Sequence, residues 1–318
     1  MKTADLNPTK PPMATKRKVS LEVVWLLAPS LLAMAWLVSK AQWFWNNQPD
    51  LQFGWIVVLL CGYLFYEALE KQPVVSVRPR WWSVALFLVG AGGLFVVQVY
   101  QVAFGTNAAS MCGLATMIML VAFANLGIVF GWRGITTFGL AYAFILIAMP
   151  MPGFIHGPIV NGLQNKVAVI NTEVLNLMGI PAQRVGSLIH LPGGTVGIDE
   201  ACSGIRSLQS TVMATIFIGY LTLKRVSFQI LLLIAGIGLA IFGNLVRSLY
   251  LSLTANAQGV EAINRVHDAA GWTILVFTTV GVIILSWLFN KLDQVAARAS
   301  QSATEAAGLP AGEVSNPR

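Results

Sequence analysis

Apolar stretches about as long as a bilayer core is thick recur along this chain, separated by short polar punctuation. A helix needs about 20 predominantly apolar residues to cross about 30 Å of hydrocarbon. Runs of this kind lie at 21–39, 51–68, 82–104, 108–130, 134–155, 203–223, 228–251 and 269–289. With 56% hydrophobic and only 10% charged residues, the chain falls outside the balance of a soluble domain. The expectation is an all-α integral membrane protein of about eight transmembrane helices.

The first run follows basic residues and contains Ala33-Met34-Ala35, which resembles a signal-peptide cleavage site. The apolar run continues past that site through Trp36, Leu37 and Val38, however, longer than a signal core. A retained span is therefore expected.

Positive charge sets the expected orientation. With the N-terminus in the cytoplasm, that side receives all of the 20 Lys and Arg except Lys40, Lys166, Arg184, Arg206, Arg247 and Arg265. The positive-inside rule then puts both termini in the cytoplasm, and an even number of spans agrees. The basic excess thus reads as topology, and nucleic acid is not an expected partner. Residues 1–20 are expected to form a disordered basic tail, 21–290 the membrane domain, and 291–318 a second disordered cytoplasmic tail.

Only the connection at 156–200, between the fifth and sixth spans, is long enough for structure of its own, and it is expected on the outer side. Its first part spaces Ile159, Leu163, Val167, Ile170, Val174 and Leu177 by three and four, the pattern of an amphipathic helix. Its second part, RVGSLIHLPGGTVGID, alternates around Pro192-Gly193-Gly194 as a small β-hairpin does.

Three outward helix ends collect polar chemistry. The sixth span opens GIDEACSGIRS, with Cys202 expected in the first helical turn and Asp199 as N-cap. Unpaired N–H groups and the helix dipole at such a position favour a thiolate; Arg206 adds positive charge and Glu200 opposes it. The seventh span finishes GNLVRSL, setting Asn244 and Arg247 one turn apart on one face. The eighth begins after EAINRVHDAAGW, which brings His267 and Asp268 to the same side. A thiol, a guanidinium and an imidazole meet the needs of cysteine acyl transfer: nucleophile, oxyanion stabiliser and proton carrier.

Each group has a plainer reading as well. Cys202 can be packing, Arg247 an interfacial anchor and His267 a helix cap with Asp268. Periodicity does not choose among His156, His190 and His267. Cys61 and Cys112 fall inside apolar helices, where a thiol behaves as a small hydrophobe. Zinc at Cys202, His190 and His267 lacks the close ligand spacings of such sites, and no metal or cofactor is expected. A transporter would use Glu22, Asn125 and Asn244 to line a path. A rhomboid-like serine protease would use Ser203 before Gly204, but residue 201 is Ala where that motif carries glycine.

EACSGIRS at 200–207, Pro150-Met151-Pro152, MGIP at 178–181, NLVR at 244–247 and His267 occur in the order found in the exosortase/archaeosortase family, and the chain resembles that family across most of its membrane region. The resemblance implies Cys202 as nucleophile, Arg247 as stabiliser of the substrate carbonyl and His267 as proton-transfer partner. Arg206, Asn244, Glu200 and Ser203 are implied as supporting or substrate-binding residues. It further implies exported protein substrates bearing a C-terminal sorting signal: a short Pro-Glu-Pro-like motif, one transmembrane helix and a basic cluster. Their chain would pass through a thioester to water or to an acceptor nucleophile. The expected setting is the cytoplasmic membrane among its lipids, with the active site on the outer face.

Overall fold

A computed structural model of the chain describes residues 21–198 and 204–306. The chain divides into two compact units, 1–150 and 151–318.

The first unit holds α1 (Leu21–Asn47), α2 (Gly54–Glu70), α3 (Trp81–Phe104), α4 (Ala108–Phe130) and α5 (Trp132–Ala143), the last continued by a 3-10 turn at Phe144–Ala148. Helix α4 is its centre: 56% of its apolar stretch is buried inside the protein, against 11% for α3. Small residues let its neighbours approach. A Cβ at Gly127 would lie 2.5 Å from the Trp82 ring, and one at Gly90 2.9 Å from Val121. Lipid supplies no hydrophobic drive between helices, so close packing and interhelical hydrogen bonds hold them together. Asn125 Nδ2 donates to Ser30 Oγ (3.1 Å) and to the Leu26 carbonyl (3.2 Å). Ser30 Oγ meets the Tyr142 hydroxyl at 2.8 Å, tying α1, α4 and α5 together.

The second unit holds α6 (Gly153–Leu177), strands β1 (Gln183–Val185), β2 (Leu188–Leu191) and β3 (Gly194–Gly197), and helices α7 (Ile205–Thr222), α8 (Val226–Gln258) and α9 (Glu261–Ala306). The strands form one antiparallel sheet in sequence order. An apolar cluster joins them to the helices through Val167 and Leu175 of α6, Ile189, Leu191 and Val196 of the sheet, Ile198, and Leu251 and Ala255 of α8. Gly236 packs on Thr215, Gly243 on Ile274 and Gly281 on Leu239, which lets α7, α8 and α9 lie close. At the far end, Asp293 accepts from the Lys224 backbone N–H (3.1 Å) and pairs with Arg225 Nε (3.3 Å).

Among the described residues, helices cover most of each expected span, and several particulars differ. Among the described residues, six helices are long and apolar enough to cross a membrane: α1, α2, α3, α4, α8 and α9. The count reaches seven if Trp132–Ala148 and Gly153–Leu177 are taken together as one broken span. The run at 134–155 breaks at Pro150 and Pro152 because proline lacks an N–H and bars helix from the residue before it. The amphipathic helix therefore starts at Gly153. Its protein-facing side is also not the expected stripe: Val160, Val167, Ala168, Asn171, Thr172 and Leu175 are buried, whereas Ile159, Ile170 and Leu177 are exposed. The turn at Pro192–Gly194 joins β2 to β3 as expected, and β1 adds a third strand. Helix α9 continues to Ala306, so the described part of the stretch expected to be a disordered tail is helical.

Candidate active site

Helix α7 begins at Ile205, and its N-cap position is Gly204, with φ +80° and ψ 6°. The expected cap at Asp199 and the expected first-turn position of Cys202 fall outside the described residues, as do Glu200 and Ser203.

Gly204 has two separate requirements for glycine. Its backbone is left-handed, a conformation costly for residues with a Cβ. A Cβ there would also lie 2.5 Å from Asn244 Cγ and 2.8 Å from its Nδ2. The start of α7 is thus pressed against the buried carboxamide of Asn244, which is 4% exposed. On the chain's other approach, Ile198 is 2% exposed within the apolar cluster that includes Leu251 and Ala255. Arg247 lies between Asn244 and Leu251 on α8.

Across from α8, α9 presents His267. Arg247 Nη2 lies 2.9 Å from His267 Nε2, and His267 Nδ1 lies 3.1 Å from Asp268 Oδ1. A guanidinium only donates hydrogen bonds. His267 Nε2 is therefore the acceptor, and the ring proton of the neutral imidazole sits on Nδ1, where it donates to Asp268. The result is a directed chain from guanidinium to imidazole to carboxylate. The imidazole is 29% exposed and the Asp268 carboxylate 93%, so the outer end of this chain is screened by solvent. Gly271, one turn after His267, faces the guanidinium: a Cβ there would stand 3.6 Å from Arg247 Nη2, an ordinary contact distance. His267 is not a helix cap, because α9 begins two turns earlier at Glu261.

The remaining sequence candidates are placed elsewhere. His190, on β2, pairs through Nδ1 with Thr195 Oγ1 of β3 at 2.8 Å, directly across the strand register. His156 is in α6. Arg206 is exposed in the first turn of α7. Of the residues suggested for a transport path, Glu22 is exposed near the start of α1, Asn125 is engaged with Ser30, and Asn244 is packed on Gly204. Among the described residues no group of three or more His, Cys, Asp or Glu converges.

Sequence reasoning missed the role of Gly204. Nothing in periodicity announces the contact of Gly204 with Asn244, because it depends on how two helices meet.

Neither the comparison with curated proteins nor that with solved structures gives a match. The family model described as transmembrane exosortase (Exosortase_EpsH) matches residues 45–285, from the end of α1 into α9, and this span contains Asn244, Arg247 and His267 together with the stretch from Ile198 to Gly204. On that match, the chain belongs to the transmembrane exosortase family.

Proposed function

We propose that the chain is a membrane cysteine endopeptidase or transpeptidase that cuts the C-terminal sorting signal of exported proteins, with Cys202 as nucleophile. The observation that carries this reading is the pairing of Arg247 with His267 beside the contact of Gly204 with Asn244. Cys202 stands two residues before Gly204 in the sequence, and two residues of chain span at most about 7 Å. Gly204 in turn touches Asn244, one helical turn from Arg247. Family membership supports the class of enzyme.

In the proposed reaction, Cys202 Sγ attacks a peptide carbonyl carbon of the substrate and its proton passes to His267. The developing oxyanion takes the Arg247 N–H that the imidazole accepts in the resting arrangement. This exchange frees Nε2 to carry the proton. Collapse breaks the C–N bond, the proton goes to the leaving amine, and an acyl thioester remains. Water or an acceptor nucleophile then attacks the thioester and regenerates the thiol. Asn244 holds the start of α7 in place, and Arg206, Glu200 and Ser203 serve as supporting or substrate-binding residues. A substrate with one transmembrane helix and a basic tail fits a protein of this kind: its helix lies against the bundle, its tail stays in the cytoplasm, and positioning supplies much of the rate. The charge distribution supports an outer-face site in the cytoplasmic membrane with both termini inside, and α7 as a span despite the polar residues it carries.

The test follows the size of a C-terminally tagged exported substrate in membranes containing wild type, Cys202→Ala or Cys202→Ser. Wild type should release the tag and, when stopped early, yield a hydroxylamine-sensitive adduct. Both variants should leave the substrate full-length without adduct; normal processing in both overturns the reading.

A further inference from the structure

On the face of α6 turned away from the apolar cluster there is a hollow of about 490 Å3, lined by Asn165, Lys166, Val169 and Ile170 of α6 and by Arg184 of β1. Its size falls within the range of small-ligand sites. Two cations from different elements converge there. Arg184 spends one donor on the Gly186 carbonyl, Nη1 to O at 3.0 Å, and keeps its other N–H groups. Neither Lys166 nor Arg184 forms an ion pair with a carboxylate among the described residues, and Glu173, farther along the same helix, pairs with neither.

The surroundings of these cations are aliphatic. Val169 is 42% and Ile170 44% exposed, and the same side of α6 carries exposed Ile159 and Leu177. Ile159, Lys166, Ile170 and Leu177 follow one another at seven, four and seven residues, so they form a single stripe along the helix. A free anion would use the cations and leave the aliphatic groups in water. An acidic peptide would do much the same. An amphiphile with a phosphate head and hydrocarbon tail uses both, as surface-lying helices do in anionic membranes.

We infer that the hollow between α6 and β1 is a binding site for the headgroup of an anionic phospholipid, its phosphate held by Lys166, Arg184 and the Asn165 amide and its chains laid over Val169 and Ile170. The site is separate from the Arg247–His267 pair and does not depend on the proposed reaction.

The full chain, purified in detergent, is titrated with phosphatidylglycerol or phosphatidylcholine, and bound lipid is counted by native mass spectrometry. Wild type should prefer phosphatidylglycerol. Each cation near an anionic surface contributes about 1 kcal/mol, so removing both in the variant Lys166→Gln/Arg184→Gln should weaken binding roughly thirty-fold. The charge-keeping variant Lys166→Arg/Arg184→Lys should retain most of it, and Cys202→Ala should bind as wild type does. Both double variants alter exposed side chains and should melt like wild type without lipid. Equal phosphatidylglycerol binding by wild type and the Gln variant overturns the inference. So does glycerol phosphate binding as tightly as the lipid, or an acidic peptide whose binding needs both cations when the lipid's does not.

Discussion

Arg247 donates to the Nε2 lone pair of His267 at 2.9 Å, so α8 and α9 are joined at the candidate site by a hydrogen bond that fixes the imidazole tautomer. The relationship has a chemical consequence. While the guanidinium occupies Nε2, the imidazole cannot take a proton there. In the proposed reaction, an acyl substrate that draws Arg247 to its own carbonyl releases the imidazole to act as base. The pair is thus suited to become active on substrate binding.

Arg247→Lys keeps the charge and loses the planar fork of donors that, in the proposed reaction, turns from the imidazole to the substrate carbonyl. Loss of an oxyanion donor costs about a hundred- to a thousand-fold in turnover. The expected outcome is a fall of that order in the rate of tag release, with substrate capture reduced much less. A variant that processes substrate at near wild-type rate would show that Arg247 only anchors its helix.

His267→Ala removes both the acceptor for Arg247 and the proposed proton carrier, and general acid–base catalysis is worth about a hundred- to ten-thousand-fold. His190→Ala loses the hydrogen bond to Thr195 on the exposed face of β2, about 0.5–1.5 kcal/mol at most. Tag release should therefore collapse in the first variant and persist in the second. Comparing both at one substrate concentration decides between the histidines, and greater damage from His190→Ala would reverse the assignment.

The long apolar helices follow from local rules, as does a shared outward face for Arg247 and a histidine, whereas spacing leaves His156, His190 and His267 open and the family resemblance points to His267. Hydrophobic length marks a helix, and polar residues at successive helix ends on one side mark a shared face. Three features escaped those rules for physical reasons. The run at 134–155 reads as one apolar stretch, and only the backbone restrictions of Pro150 and Pro152 divide it. The apolar stripe of α6 is visible in its spacing, yet membrane and protein interior are both apolar, so spacing does not say which flank packs inward; Val160, Ala168 and Leu175 do, and Ile159 and Leu177 do not. The start of α7 at Ile205 depends on Gly204 meeting Asn244, a tertiary contact between segments forty residues apart in sequence.

Ser30 is completely buried and links α1 to both Asn125 and Tyr142. Ser30→Ala should lower thermal stability in detergent by about 1–2 kcal/mol, the scale of an interhelical polar contact in a membrane. Tyr142→Phe removes one hydroxyl and leaves the contact between Ser30 and Asn125, so its effect should be smaller. If Tyr142→Phe were the more damaging, the Asn125 arm would carry little of the network.

Gly204→Ala combines two penalties that a second substitution can separate. The left-handed backbone costs a residue with a Cβ about 1–2 kcal/mol. Overpacking against Asn244 adds about 1–3 kcal/mol. The single variant should therefore lower both the melting temperature and the rate of tag release, because α7 must shift away from Asn244. Adding Asn244→Ala removes the Cγ and Nδ2 atoms that the new methyl meets at 2.5 and 2.8 Å, while Asn244 Cβ, at 2.9 Å, remains. The double variant should recover part of the lost stability, keep the backbone penalty, and remain poorly active if the carboxamide is what holds the start of α7. A melting temperature no higher in the double variant than in Gly204→Ala would mean that the backbone, and not the contact with Asn244, is why glycine stands at this position.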